Sequence, residues 1–185
     1  CQESWLVGHG LVIKSPNFLL EDFGVRQAET GLELRFAKGF GGSGKGTAKR
    51  LTFDEVDTAI RLGIKGENQC DESAWGLIQA DDCRIVISSE GSQAVGHDFA
   101  GLHVTGGKNE AILDLRGGGK MTCGAIKAIC RSGVVIRDVP LGATGSGNLS
   151  AWVGPVNFDA AAHVVNLYKG ELDEKGRGSY RELTI

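Results

Sequence analysis

The chain has 185 residues, room for one domain with a sizeable core or two small ones at most. A formal net charge of -3 gives no electrostatic case for nucleic acid as partner. No apolar run approaches the roughly 18 residues a spanning helix needs. With 29 glycines and only 3 prolines, the chain favours many turns over a helical bundle.

In chain order, Trp5 to Ile13 reads as a strand bent at Gly8 and Gly10, closed by the turn Ser15-Pro16-Asn17. Phe18 to Val25 suits a short helix or an irregular strand. Leu32, Leu34 and Phe36 alternate with Glu33, Arg35 and Ala37, which predicts a half-exposed strand in an antiparallel sheet. A helix is predicted over 52–63. Thr52 and Glu55 form a capping box, Leu51 and Val56 a hydrophobic staple, and Phe53, Val56, Ile60 and Ile64 one apolar stripe. Gly63 followed by Ile64 reads as a left-handed stop.

Further on, Trp75–Gln79 and Arg84–Ser88 read as a hairpin turning at Ala80-Asp81-Asp82. Leu102–Thr105 and Ala111–Arg116 give a second pair. Met121–Arg131 fits helix or strand equally. Val134–Val139, Leu149–Phe158, Ala162–Lys169 and Ser179–Ile185 complete the strands. Ser73-Ala74-Trp75 recurs as Ser150-Ala151-Trp152, at a distance too long for a solenoid repeat. The expected fold is one mainly β domain over 1–185, an antiparallel β-sandwich or curved sheet with the helix packed on one face. The alternative is α+β, with helices at 18–25 and 121–131.

The stretch Gly39-Phe-Gly-Gly-Ser-Gly-Lys-Gly-Thr47 resembles the phosphate loop of adenylate kinases. That resemblance implies a nucleotide-binding protein in which loop amides and Lys45 hold phosphates. Two local features oppose it. The cap at Thr52 starts the predicted helix seven residues beyond Lys45, and the strand before the loop is half-exposed. The expectation is a loop that binds no nucleotide, with Lys45, Lys49 and Arg50 as a small basic patch.

Five cysteines (Cys1, Cys70, Cys83, Cys123 and Cys130) leave one over if the rest pair. With the sequon Asn148-Leu149-Ser150 and a first residue that is not Met, they point to a secreted or extracytoplasmic glycoprotein with disulfide bonds. No Cys/His spacing suits zinc, and no metal or cofactor is expected.

Two thiol chemistries are open. Cys1 could act as an N-terminal nucleophile with its own amine as base. Cys123 could pair with His97 or His103; Thr122-Cys123 followed by Arg131 resembles the Thr-Cys and Arg of sortases. Trp75 and Trp152 could instead form a sugar-stacking platform. The functional expectation is a secreted binding or structural module that contacts a glycan or protein partner. The alternative is a hydrolase or transferase using Cys1 or Cys123.

Overall fold

The computed structural model describes residues 7–15, 17–35, 46–63, 70–89, 94–115, 119–130, 134–138, 149–158, 165–167 and 181–184. In chain order the strands are β1 (Val7–Ile13), β2 (Leu19–Leu20), β3 (Phe23–Arg26), β4 (Ala28–Leu34), β5 (Gly46–Asp54), β6 (Thr58–Leu62), β7 (Cys70–Asp81) and β8 (Ile85–Ser89). They continue as β9 (Ala94–Gly106), β10 (Ala111–Asp114), β11 (Gly119–Cys130), β12 (Val134–Asp138), β13 (Leu149–Val153), β14 (Val156–Phe158), β15 (Val165–Leu167) and β16 (Arg181–Thr184).

The chain passes back and forth between two sheets. Sheet A runs β1-β4-β6-β8-β10-β12-β15, and sheet B runs β16-β13-β11-β9-β7-β5-β2, with β3 on β5 and β14 on β11. Every strand pairs in parallel with the strand one circuit away. Thr30 lies on Thr58 and Thr58 on Ile85, steps of 28 and 27 residues; Trp75 lies on Phe99, a step of 24. Each circuit is one rung of a β-solenoid, whose hydrophobic face is completed only by the rungs above and below.

Sheet B bends in the middle of every rung. Burial changes phase there: Trp75 and Ile78 are buried while both Gly76 and Leu77 between them are not, and the same shift falls at Lys49–Arg50 and at Gly124–Ala125. In other rungs the bend splits the strand, giving β2 with β3 and β13 with β14. Glycine is required here because rungs approach closely: a Cβ on Gly76 would run into the Lys49 carbonyl, and one on Gly124 into that of Ala100. The passage from sheet B to sheet A is equally stereotyped. It opens on a left-handed residue in four successive rungs: Gln27 (φ 57), Glu55 (φ 54), Asp82 (φ 49) and Gly106 (φ 97). Gln27 N–H donates to Asp54 O (3.0 Å), Glu55 N–H to Asp81 O (2.9 Å) and Asp82 N–H to Thr105 O (3.1 Å), so each turn is tied to the next. These bonds meet backbone demands that a buried turn otherwise leaves open.

The core is a set of ladders. Leu51, Ile78, Leu102 and Ile126 stack on successive rungs, as do Phe53, Ala80, Val104 and Ala128, and all are buried. Leu32, Ile60, Ile87 and Leu113 stack likewise in sheet A and belong to the same core cluster.

Three expectations are corrected. First, the sheets are parallel, not an antiparallel sandwich or curved sheet. The stretch expected to be half-exposed is not: Leu32, Glu33 and Leu34 are all buried in β4. Where buried and exposed residues do alternate, as in sheet B, one open face goes with parallel strands because the crossover of a solenoid is another strand rather than a helix. For the same reason β7 and β8, expected as a hairpin, lie in different sheets, as do β9 and β10.

Second, no helix occurs among the described residues, neither at 52–63 nor in the α+β alternative at 18–25 or 121–131. Thr52 is an outward residue of β5, Glu55 has the left-handed φ of 54 that a helix excludes, and 58–62 is β6. Phe53, Val56 and Ile60 do form one buried stripe, but through strand, turn and strand. Gly63 is left-handed as expected (φ 70), at the end of a strand.

Third, the expected disulfides are missing among the described cysteines: Cys83 and Cys123 are free and buried. Cys83 fills the inside of a turn. Cys123 and Cys130 lie seven residues apart on β11, roughly 20 Å at strand rise and far outside disulfide reach.

Candidate functional site

The two sheets differ in what they leave to solvent. Sheet A is buried on both strand faces over its middle strands: Thr30 to Leu34, Thr58 to Ile60, Ile85 to Ser89 and Ala111 to Leu115 are buried residue after residue. Among them the Glu33 carboxylate is fully withdrawn from water, 2.5 Å from Arg35 Nε, 3.4 Å from His9 Nδ1 and 3.6 Å from Arg61 Nη1.

Sheet B is open. The large apolar side chains left exposed among the described residues are Leu19 (64%), Leu77 (46%), Ile129 (40%) and Trp152 (51%), and all four belong to this sheet. Parallel register arranges its outward side chains in rows along the solenoid. One row is Ala74, Asp98, Thr122 and Trp152. Thr122 Oγ1 donates to Asp98 Oδ1. A second is Arg50, Leu77, Gly101 and Ala125, narrow because of its small residues. A third is Thr52, Gln79, His103 and Lys127. Where the second and third rows begin, a shallow cleft of about 260 Å³ opens between Asp22, Gly24, Arg50, Leu77 and Gln79. Asp22 and Arg50 pair there through two bonds, one of them 2.7 Å. The hydrogen bond from the Arg50 guanidinium holds the Asp22 carboxyl below its usual range.

The expected site residues scatter across this architecture. Trp75 is inward, stacked on Phe99 with centroids 5.4 Å apart, and its Nε1–H donates to Nδ1 of buried His97 at 3.3 Å. Trp152 is outward. The tripeptide echo explains the split. Ser73 stands in register with His97, His97 with Met121 and Met121 with Ala151, so the rung equivalent of Trp75 is Val153 and Trp152 is one residue out of phase. One residue turns a strand side chain to the opposite face. The two tryptophans therefore do not form a shared platform.

Cys123 is fully buried between Phe99 and Val153, and burial pushes its thiol up to about 12. His103 pairs with Lys127, four residues along β11 from Cys123. That is roughly 13 Å at strand rise, and the two side chains project from opposite faces. The fold does not bring this thiol and imidazole together. Cys1, Lys45 and the rest of 39–45, and Asn148 lie outside the described residues; Thr47 to Arg50 belong to β5, with no helix following to present its amides to a phosphate. No group of His, Cys, Asp or Glu among the described residues could hold a metal ion. No helix there is long and apolar enough to cross a membrane.

Sequence reasoning did not group Asp98, Thr122, Gln79 and Lys127, whose common feature is an outward place on successive rungs. A search for spacing near 25 residues would have aligned them. Fold and surface define a parallel β-solenoid with one closed sheet and one open sheet. No protein-family model, curated protein or solved structure matches this chain.

Proposed function

We propose that this chain is a secreted or extracytoplasmic binding module that contacts an extended glycan through the outward face of sheet B. The observation that carries this reading is the asymmetry of the sheets. Sheet A withdraws even the Glu33 carboxylate from water, whereas sheet B carries all four of the large apolar side chains exposed among the described residues, with polar side chains such as Thr52, Gln79, Asp98 and Lys127 exposed beside them. An exposed apolar set rimmed by polar residues is the ordinary signature of a contact surface. Strand spacing of about 4.8 Å sets a regular step along each row. A linear polymer lying along the solenoid meets a polar side chain at every step of the row Thr52, Gln79, His103 and Lys127. The shallow cleft is too open to enclose a small molecule.

The test is binding of the labelled chain to an array of immobilised glycans. Retention of a defined set of polysaccharides is expected, weakened at least tenfold by Leu77→Asp and by Gln79→Ala and left intact by Glu29→Ala at an exposed position of sheet A. Equal retention by all three variants would remove sheet B from the interaction. Retention of none would favour a protein partner.

A further inference from the structure

We propose that the row Asp98, Thr122 and Trp152 is a subsite for a neutral pyranose, with the Trp152 indole as the stacking platform and the Asp98 carboxylate as acceptor for sugar hydroxyls. This rests on the reading of sheet B as a glycan-contacting face.

The placement follows from register. Asp98 pairs with Thr122 and Thr122 with Trp152, on β9, β11 and β13 in turn. Two strand steps span about 10 Å, the scale of one to two sugar rings. Trp152 sits within a regular strand whose next residue, Val153, is buried at 1% while the indole is 51% exposed. A rigid, flat, apolar face is thus held at the surface by backbone pairing on both sides. A pyranose presents a face of C–H groups that suits it.

Asp98 supplies the polar half. One of its oxygens accepts the Thr122 hydroxyl, which fixes the rotamer of both side chains. An ionised carboxylate accepts about four hydrogen bonds, so most of its capacity is unused. No cation among the described residues lies within ion-pair distance of it. Lys120, exposed two residues before Thr122, is likewise without an ionic partner there. At its end of the row, two strand steps from the indole, this carboxylate accepts from neutral hydroxyls and repels a sugar carboxylate or sulfate. Ala74, at the far end of the row, leaves room for the chain to continue.

The experiment is calorimetric titration of the intact chain with three hexasaccharides: β-1,4-linked glucose, β-1,4-linked mannose and a uronate. Tryptophan emission is recorded in parallel. A neutral hexamer is expected to bind and shift the emission. Trp152→Ala and Asp98→Asn should each weaken it at least tenfold, and Trp152→Phe should retain most of the affinity. The uronate should bind more weakly than the best neutral hexamer, with the gap narrowing in Asp98→Asn. All of these side chains are exposed, and circular dichroism and melting of the variants should match the parent. Unchanged affinity in both Trp152→Ala and Asp98→Asn, with loss in Gln79→Ala, would overturn the subsite while leaving sheet B as the glycan face. Tighter binding of the uronate would overturn the neutral specificity. No binding of any hexamer at millimolar concentration would overturn the subsite; whether sheet B contacts longer glycans is then decided by the array.

Discussion

Glu33 in sheet A and Asp22 in sheet B each face a guanidinium from the next rung, Arg61 and Arg50, in opposite surroundings. The Glu33 side chain is 0% exposed and shares its charge among Arg35, Arg61 and His9. The Asp22 side chain is 61% exposed and its Arg50 partner 74%. The same pairing chemistry therefore supports the fold in one sheet and decorates the surface in the other. A solenoid builds both sheets from one repeating circuit, so this difference comes from the side chains the two sheets carry and not from how their strands pair.

The strongest way to break the comparison is at Glu33. Removing one member of a buried, charge-sharing cluster costs about 3–5 kcal/mol. Glu33→Ala should lower the stability of the chain by that order in urea unfolding, with the slope of the transition unchanged. A loss below about 1 kcal/mol would mean that the surroundings of Glu33 are as solvated as the open face of sheet B.

A second break lies in the bend of sheet B. Gly76→Ala sets a Cβ against the Lys49 carbonyl, and backbone cannot yield as a side-chain tip can. The expected cost is about 1–3 kcal/mol from overpacking. Gly107→Ala, where nothing lies within 4 Å, should cost much less, since that glycine is not left-handed. Parity between the two variants would mean that the bend relaxes freely.

These positions also mark how much of the molecule was legible beforehand. The β class was, because glycine-separated apolar runs leave little alternative. The left-handed Gly63 was. Parallel pairing was not, since alternation is identical for any sheet with one open face. The false helix had a physical source: a turn carrying Glu55 and Asp57 after Thr52 mimics a capped first turn, and strand–turn–strand spacing of Phe53, Val56 and Ile60 mimics a helical stripe. The repeat itself was hidden because rung steps vary. Leu51, Ile78, Leu102 and Ile126 are separated by 27, 24 and 24 residues, and no single residue type recurs at every rung. At the candidate site Trp152 could be singled out by residue type. Asp98 and Thr122 could not be joined to it, because only register places them in its row.

The buried thiols, Cys123 inside sheet B and Cys83 inside the turn after β7, offer a third measurement, smaller over any one pH unit. Burial raises Cys123 from its ordinary value of 9.0 to about 12, and Cys83 likewise. For an acid whose folded pKa lies above its unfolded one, stability is complete below the unfolded value. It is then lost as pH rises, because only the unfolded chain releases the proton. Between pH 9 and about 12 each thiol should make stability fall by about 1.4 kcal/mol per pH unit. Cys123→Ala should be flatter than the parent in that window by this amount. Identical slopes, or rapid reaction of the native chain with a thiol reagent at pH 8, would show that the inside of sheet B is open as well.

The smallest effect is expected at Asp22, and it sharpens the comparison by its size. Arg50 holds the Asp22 carboxyl below its usual range, chiefly through their hydrogen bond. The sign is that of a carboxylate with a depressed folded pKa. Its contribution is present above the unfolded value and lost as pH falls through the folded one. Both groups are surrounded by water, so the pair is screened by salt, and ordering two side chains offsets most of the attraction. Asp22→Asn should leave the melting temperature unchanged within error at physiological salt. It should, however, free the Arg50 guanidinium in the cleft beside Leu77 and Gln79. The variant is therefore expected to bind anionic polymers more tightly than the parent at low salt and equally at high salt. If Asp22→Asn destabilised the chain as much as Glu33→Ala, the ion pairs of sheet B would be structural, and the division of labour between the two sheets would fail.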